Sequence, residues 1–460
     1  MIPKYPNVKL VRLSIPNPYF PRGRRINESF IMLSLLAKLL MIFPFCDDDD
    51  DDDHVMIIII MFGGGYIDCI LSCQLRPHPS APTPQMSSST PAQENATTSI
   101  SVAEKADVVL ACASIVGHTV LGLLTGIWRT RRAGRGSYRR YVLLTAVRTV
   151  FRRMSPRQFL YVSPSTNDAY ATVCKRRGVE PSSETLGDGT QAHWIGKRGA
   201  KKIILNLHGG GFVIPAAPNA FDFMFKLVDG AEKEEKSLAV LFLSYDLSPS
   251  VVYPRQLVQA AALLNHVIHN LNYPPSSIIL AGDSAGANLA LALLSHIIHG
   301  HPNESIPRVH LKEPLDGAVL LAPWLTFGTS AESFEANRYK DILDPTALKL
   351  WSREYQSSAP SDNYMEPLYA STSWWKRLPA AVTSILMVAG EHEVFVDDVK
   401  AFAGKLQEVE TEPGAASLGV ELKVVEDEYH DQPNAGLEGD SLAREKSQAW
   451  EIGKWVWGRC

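Results

Sequence analysis

Apolar and polar positions change period along the chain. From Lys201 onward, short apolar runs alternate with stretches in which apolar residues recur every three or four positions. The runs Lys201–Leu207 (KKIILNL), Ile278–Ala281 (IILA), Ser384–Ala389 (SILMVA) and Val420–Val425 (VELKVV) have the length and branched-aliphatic content of strands. Helical spacing takes over after Gly286 and continues past Leu294. Strands alternating with helices predict an α/β protein with a mostly parallel sheet covered by helices.

The pattern upstream is different. Val108–Trp128 carries no charge and is long enough to cross the hydrocarbon of a bilayer as a helix. Gly122 and Gly126 have the spacing of a helix-packing face. The competing reading is a buried core or cap helix. Arginines follow at 129, 131, 132, 135, 139 and 140, and no Asp or Glu occurs from Val108 to Asn167. Beside an apolar stretch, this charge reads as membrane-surface charge and not as a nucleic-acid patch. The positive-inside rule then places the chain downstream of the span in the cytosol, behind a single-pass anchor in the endoplasmic reticulum. Glycosylation acceptors at Asn95 and Asn303 lie on opposite sides of the span, and a glycan on Asn303 reverses that orientation. Tyr138–Phe159 reads as a basic amphipathic helix, with Leu144, Val147 and Phe151 on one face and breaks at Pro156 and Pro164.

Residues 1–85 are of low complexity. Apolar runs Phe30–Cys46 and Val55–Phe62 flank seven consecutive aspartates, Asp47–Asp53, and a Gly triplet and a Pro-rich stretch follow. A solvated acidic tail and a signal or anchor segment are two readings. The favoured expectation is that Met86 starts the native protein and that 86–107 is its polar N-terminal segment. The aspartate run outweighs the whole net charge of -4, so the rest of the chain is weakly basic. The six cysteines are scattered, without paired metal-ligand spacing or a disulfide framework.

Chemistry enters at two turns. Gly282-Asp283-Ser284-Ala285-Gly286 separates a strand from a helix, the setting of a nucleophile elbow. Ser284 is then a nucleophile at the carboxyl edge of the sheet, with a helix N-terminus behind it. Lys201–Leu207 runs directly into His208-Gly209-Gly210-Gly211-Phe212, whose glycines leave backbone N–H groups open to a ligand.

Together these motifs resemble the hormone-sensitive-lipase-like branch of the α/β-hydrolases. Tyr253-Pro254, Leu320–Trp324 and Asn363–Leu368 look most like fungal membrane-associated members of the steryl acetyl hydrolase type. The resemblance covers Tyr138 to the C-terminus and implies an α/β-hydrolase fold over 138–460, with helical cap elements near 138–167 and 326–376. It implies an oxyanion hole built from the N–H groups of Gly210, Gly211 and Ala285, and the chain order Ser, acid, His. The family pattern selects Glu393, three residues after Gly390, with Asp397 as the trailing Asp. The family uses Asp at the acid position. Glu fills the same orienting role with one more methylene, and Asp397 stays open as the alternative. Glu391 and Asp398 read as solvated charge. His430, after the last strand, occupies the base position, with His392 as its rival. His266, His269, His296 and His299 fall on helical patterns and read as surface or capping residues.

The implied activity is a serine carboxylesterase or deacetylase using Ser284, His430 and Glu393, with no metal or organic cofactor and no nucleic-acid partner. An aromatic-rich 326–376 segment beside a membrane suits a lipophilic ester such as an acetylated sterol, although the same aromatics also suit an ordinary core. An amidase or lactonase would use the same triad. A non-catalytic binding protein is the alternative of another class: plant hormone receptors that resemble this family lack the catalytic His, and His430 argues against that here.

Overall fold

The computed structural model describes residues 99–130, 138–411, 418–437 and 442–460. The readings of 1–85, of Asn95 and of Arg131, Arg132 and Arg135 lie outside these residues. Among the described residues, eight strands form one sheet: β1 Ser183–Thr185, β2 Gln191–Gly196, β3 Lys202–Leu207, β4 Leu238–Ser244, β5 Ile278–Asp283, β6 Gly317–Leu321, β7 Ser384–Gly390 and β8 Gly419–Val425. Their order is β1-β2-β4-β3-β5-β6-β7-β8. The β1–β2 and β2–β4 pairs are antiparallel and every later pair is parallel. This is the expected α/β fold.

Side chains alternate between the two faces of the sheet. Ile203, Leu205 and Leu207 of β3 join one core with Leu257 and Leu264 of the Arg255–His269 helix and Leu289 and Leu293 of the Ala285–His299 helix. Ile204 of β3 and Ile279 of β5 face the other way, onto Phe221 and Leu227 of the Pro218–Lys233 helix. Strands β3, β5, β6 and β7 are buried on both faces, which is why they read as unbroken apolar runs. β8 is the edge. It alternates Glu421 and Lys423 with apolar residues and is only partly covered, which discourages further pairing.

The parallel strands bring their carboxyl ends to one rim. β3 ends at the glycine loop, β5 at Ser284, β7 ahead of Glu393 and β8 ahead of His430. Residues up to 222 positions apart in sequence, His208 and His430, thereby share one edge of one sheet.

The N-terminal helices depart from the sequence expectation in one way and meet it in another. Tyr138–Phe159 is not one helix. It splits into Tyr138–Arg153 and Pro156–Val162, and the second begins with Ser155 as N-cap, a reciprocal Ser155–Gln158 capping box and Pro156 at its first position. The long apolar helix, Val102–Thr130, lies antiparallel along Tyr138–Arg153. Asp107 pairs with Arg153 at 2.5 Å at one end. Toward the other end, Gly122 faces Thr145, and a methyl group on Gly126 would sit 2.7 Å from the Tyr138 ring. The two glycines therefore do form a packing face, and Tyr138–Arg153 fills it.

Candidate active site

At the β5 turn Ser284 takes φ 51° and ψ -116°, a conformation that costs a non-glycine residue about 1–3 kcal/mol. Its backbone is held on both sides. The Ser284 N–H donates to Leu321 O at 2.8 Å, and its carbonyl accepts from Trp324 N at 3.1 Å and Asn288 N at 3.1 Å. Gly286 is required by close approach, because a Cβ there would lie 1.9 Å from Leu207 O. The helix behind the turn, Ala285–His299, is almost wholly buried. Each of its fully covered leucines contributes roughly 1.5–3 kcal/mol of burial toward anchoring the strained turn.

Ser284 Oγ lies 2.9 Å from His430 Nε2, and His430 Nδ1 lies 3.2 Å from Glu393 Oε2. All three residues are buried, Glu393 completely. With a carboxylate at Nδ1, the ring carries its proton there and turns its Nε2 lone pair toward the serine hydroxyl. The rivals face elsewhere. Asp397 Oδ2 accepts the Ser333 N–H at 2.8 Å and caps the Glu332–Ala336 helix. His392 points to Glu391 and Asp427, at 4.0 and 3.9 Å. Glu391 is exposed, as expected. Asp398 is half-buried, and burial with the neighbouring Asp397 pushes its carboxyl up to about 6, so its reading as solvated charge is corrected. His296 is also corrected. It is 2% exposed and its Nε2 lies 3.0 Å from Pro307 O, because the Ala285–His299 helix is covered on all sides.

Asp341 was not visible in the sequence, yet it joins the acid and base loops. Its Oδ2 accepts the Val394 N–H at 2.7 Å, and its Oδ1 accepts the His430 N–H at 3.1 Å and the Ile342 N–H at 2.6 Å. Asn337 adds two bonds to the acid turn, to Glu391 O and Glu393 O, each at 2.9 Å. Both residues sit in an irregular segment with no motif, and all their partners named here except Ile342 are distant backbone groups. Arg148 reaches in from the Tyr138–Arg153 helix to Asp341 O, and Arg140 reaches Asp427 O and lies 5.5 Å over the Tyr429 ring. The membrane-surface reading of Arg140 is therefore corrected: its guanidinium braces the loop that carries His430.

Gly210 takes φ 98°, and a Cβ on it would meet Ile214 O at 2.4 Å. Among the described residues no acceptor is found for the N–H groups of Gly210, Gly211 or Ala285, which leaves them for a ligand oxygen. Asp283 Oδ2 accepts the Gly209 N–H at 2.8 Å, tying the glycine loop to the elbow. His208 stacks on Tyr245 at 4.2 Å and is inaccessible, and burial lowers its pKa to about 4, so it is a neutral structural residue. Aromatic side chains from both expected cap regions meet above the glycine loop. Trp351 lies 5.3 Å from Phe151, and Phe212 stacks on Tyr355 at 3.8 Å.

Burial pushes the Glu393 carboxyl well up and the His430 imidazole down, and Asp341 and Asp283 partly oppose the latter. Such a site has a serine, a neutral base within hydrogen-bond reach and unpaired N–H donors nearby. It is equipped to take a proton from Ser284 and to stabilise negative charge on a bound carbonyl oxygen.

The chain belongs to the alpha/beta hydrolase fold family, whose model matches residues 204–433, half of its length. The match agrees with the branch that the glycine loop and elbow resemble. Among curated relatives, an esterase of Acinetobacter venetianus is 27% identical over 214 residues, spanning 46% of this chain and 63% of that protein. Steryl acetyl hydrolase 1 of Saccharomyces cerevisiae is 21% identical over 220 residues, spanning 45% of this chain and 48% of that protein. An esterase from the bacterial hormone-sensitive lipase family superposes with a TM-score of 0.51 at 24% identity, covering 71% of this chain and 99% of that one. These relatives are named an esterase and an acetyl hydrolase, and the chain spans about half to three-fifths of their length.

Proposed function

We propose that this chain is a serine carboxylesterase or deacetylase acting on a lipophilic small-molecule ester. The reading rests on the 2.9 Å approach of Ser284 Oγ to His430 Nε2. His430 takes the Ser284 proton as Oγ adds to the ester carbonyl. Glu393 holds the ring and stabilises the imidazolium. The N–H groups of Gly210, Gly211 and Ala285 receive the oxyanion. The C–O bond to the alcohol breaks as His430 returns the proton to it, leaving an acyl group on Ser284. Water, deprotonated by His430, then adds to the acyl carbonyl, and the acid leaves as Ser284 regains its proton. None of these steps uses a metal or organic cofactor. An amidase or lactonase would follow the same course with a different leaving group.

The lipophilic substrate is supported by the aromatic surroundings of the glycine loop and by the steryl acetyl hydrolase relative. Membrane association is supported by the Val102–Gly126 helix, which is long and apolar enough to cross a bilayer. Leu110, Leu121 and Leu124 are 62%, 55% and 65% exposed on it. Because the arginine-bearing Tyr138–Arg153 helix runs beside it from Asp107 to Gly126, we favour burial in one leaflet over a crossing.

Hydrolysis of short-chain p-nitrophenyl esters by purified protein, beside Ser284→Ala, tests the reading. The parent turns over, and the variant loses about 10⁴-fold or more in kcat/KM. Equal rates, or an inert parent, would overturn it.

A further inference from the structure

Two sequence motifs, Leu320–Trp324 and Asn363–Leu368, take no part in the proposed mechanism, and Asn288 joins them. Asn288 lies in the first turn of the Ala285–His299 helix and is fully buried. Its Nδ2 donates to Trp324 O and to Met365 O, each at 2.7 Å. Two carbonyl acceptors fix the identity of that atom, because a side-chain oxygen there would face two other oxygens. The two segments that Asn288 holds are also tied to each other. The Leu368 N–H donates to Leu325 O at 3.1 Å, and Glu366 Oε1 accepts the Phe327 N–H at 2.9 Å. The Ala322 N–H donates to Val388 O at 2.7 Å, which anchors the first segment to β7.

One peptide plane carries these contacts to the site. The Ser284 carbonyl accepts from the Trp324 N–H and from the Asn288 N–H, each at 3.1 Å. Asn288 thus holds that carbonyl twice, once directly and once through Trp324, whose own carbonyl its side chain binds. The peptide from Ser284 to Ala285 is planar and trans, so its N–H points opposite to its C=O. Fixing the Ser284 oxygen therefore fixes the direction of the Ala285 N–H, which has no acceptor among the described residues. We propose that Asn288 is a positioning residue that aims the Ala285 N–H at the oxyanion, by holding Trp324 against the Ser284 carbonyl. The inference rests on the reading of Ser284 as the nucleophile and of the Ala285 N–H as an oxyanion donor. The backbone bond from Asn288 survives any substitution of its side chain except by proline, and the Trp324 bond is the one that loosens. A donor turned off its axis loses contact with charge that develops only in the transition state, so turnover falls while ground-state binding is kept.

Two assays on the full chain test this, p-nitrophenyl acetate hydrolysis and inhibition by a trifluoromethyl ketone. Ser284 Oγ adds to the ketone carbonyl carbon, the Ser284 proton passes to His430, and the hemiketal oxyanion occupies the hole. Asn288→Asp keeps the side-chain shape and removes the donor. Its kcat falls about 10–100-fold, its KM stays within about threefold, and the ketone Ki rises by the factor that kcat loses. A merely structural loss lowers the active fraction instead: kcat per total protein falls, and the Ki of the remaining sites does not move. That result, or a kcat within about twofold of the parent, would overturn the proposal. Circular dichroism reports folding, and Asn288→Ser, which keeps one hydroxyl donor, carries the same measurement if Asn288→Asp does not fold. A parent that hydrolyses the ester beside a variant of unchanged Ki refutes the positioning role alone. A parent that neither hydrolyses the ester nor binds the ketone refutes the nucleophile reading, and the positioning role with it.

Discussion

The catalytic rim and the N-terminal helix pair treat polar groups in opposite ways. Around Ser284, buried carboxyl and imidazole groups meet hydrogen-bond partners on loops from several strands, and Asp341 alone serves three backbone N–H groups. Along Val102–Gly126, apolar side chains face outward. The rim is stable because it is dry and each loop is pinned by another. The helix satisfies its backbone internally and leaves apolar side chains such as Leu110, Leu121 and Leu124 accessible. Arg148 bridges the regions, running from the helix pair to the carbonyl of Asp341. Catalysis is thus expected to depend on single atoms at the rim, and membrane attachment on total apolar area along the helix.

Four perturbations sharpen that contrast, from the largest effect downward. Glu393→Gln lowers kcat by about 10³–10⁴-fold, because the carboxylate at His430 Nδ1 is lost. Asp397→Asn, which touches a helix cap, costs at most about 1 kcal/mol of stability and little activity. The reverse ranking in steady-state kinetics would move the acid role to Asp397. Asp341→Ala next strands three buried N–H groups and lowers stability by about 3 kcal/mol or more, read from urea unfolding. A loss under about 1 kcal/mol would mean that the loops hold without it.

The third perturbation is pH. His430 must be neutral to accept the serine proton, and burial holds its pKa below 6.5, so kcat/KM rises with pH through a midpoint below 6.5. Asp341 raises that pKa, so Asp341→Asn shifts the midpoint further down. An upward shift would show that the imidazole is governed by something other than this carboxylate. The smallest catalytic effect belongs to the helix. Replacing Leu110, Leu121 and Leu124 together by Ser abolishes flotation with phospholipid vesicles while p-nitrophenyl acetate hydrolysis stays within about twofold, since sites far apart act independently. Loss of both together would dissolve the contrast.

The strands β3, β5, β7 and β8 and a mostly parallel sheet were legible as local apolar runs, and Ser284 as a glycine turn, whereas β1, β2, β4 and β6 and the two antiparallel pairs were not named, and Glu393 and His430 followed from the chain order that the family resemblance implies. The family pattern favoured Glu393 and left Asp397 open, and the contacts of the two carboxyls differ in that sense. Asp341 and Asn337 were illegible, since what defines them is the loops they bridge, 53 to 89 residues away. The direction of the arginines was illegible for a similar reason. Periodicity located a basic helix, but only tertiary packing turned Arg140 and Arg148 inward toward the rim.

The central claim is that Ser284 is a nucleophile activated by His430. Incubation of the protein with a fluorophosphonate, followed by peptide mass spectrometry, tests it most directly. One adduct is expected, on the Ser284 peptide, absent from Ser284→Ala and strongly slowed in His430→Gln. No adduct, or an adduct on another residue that persists in Ser284→Ala, would contradict it.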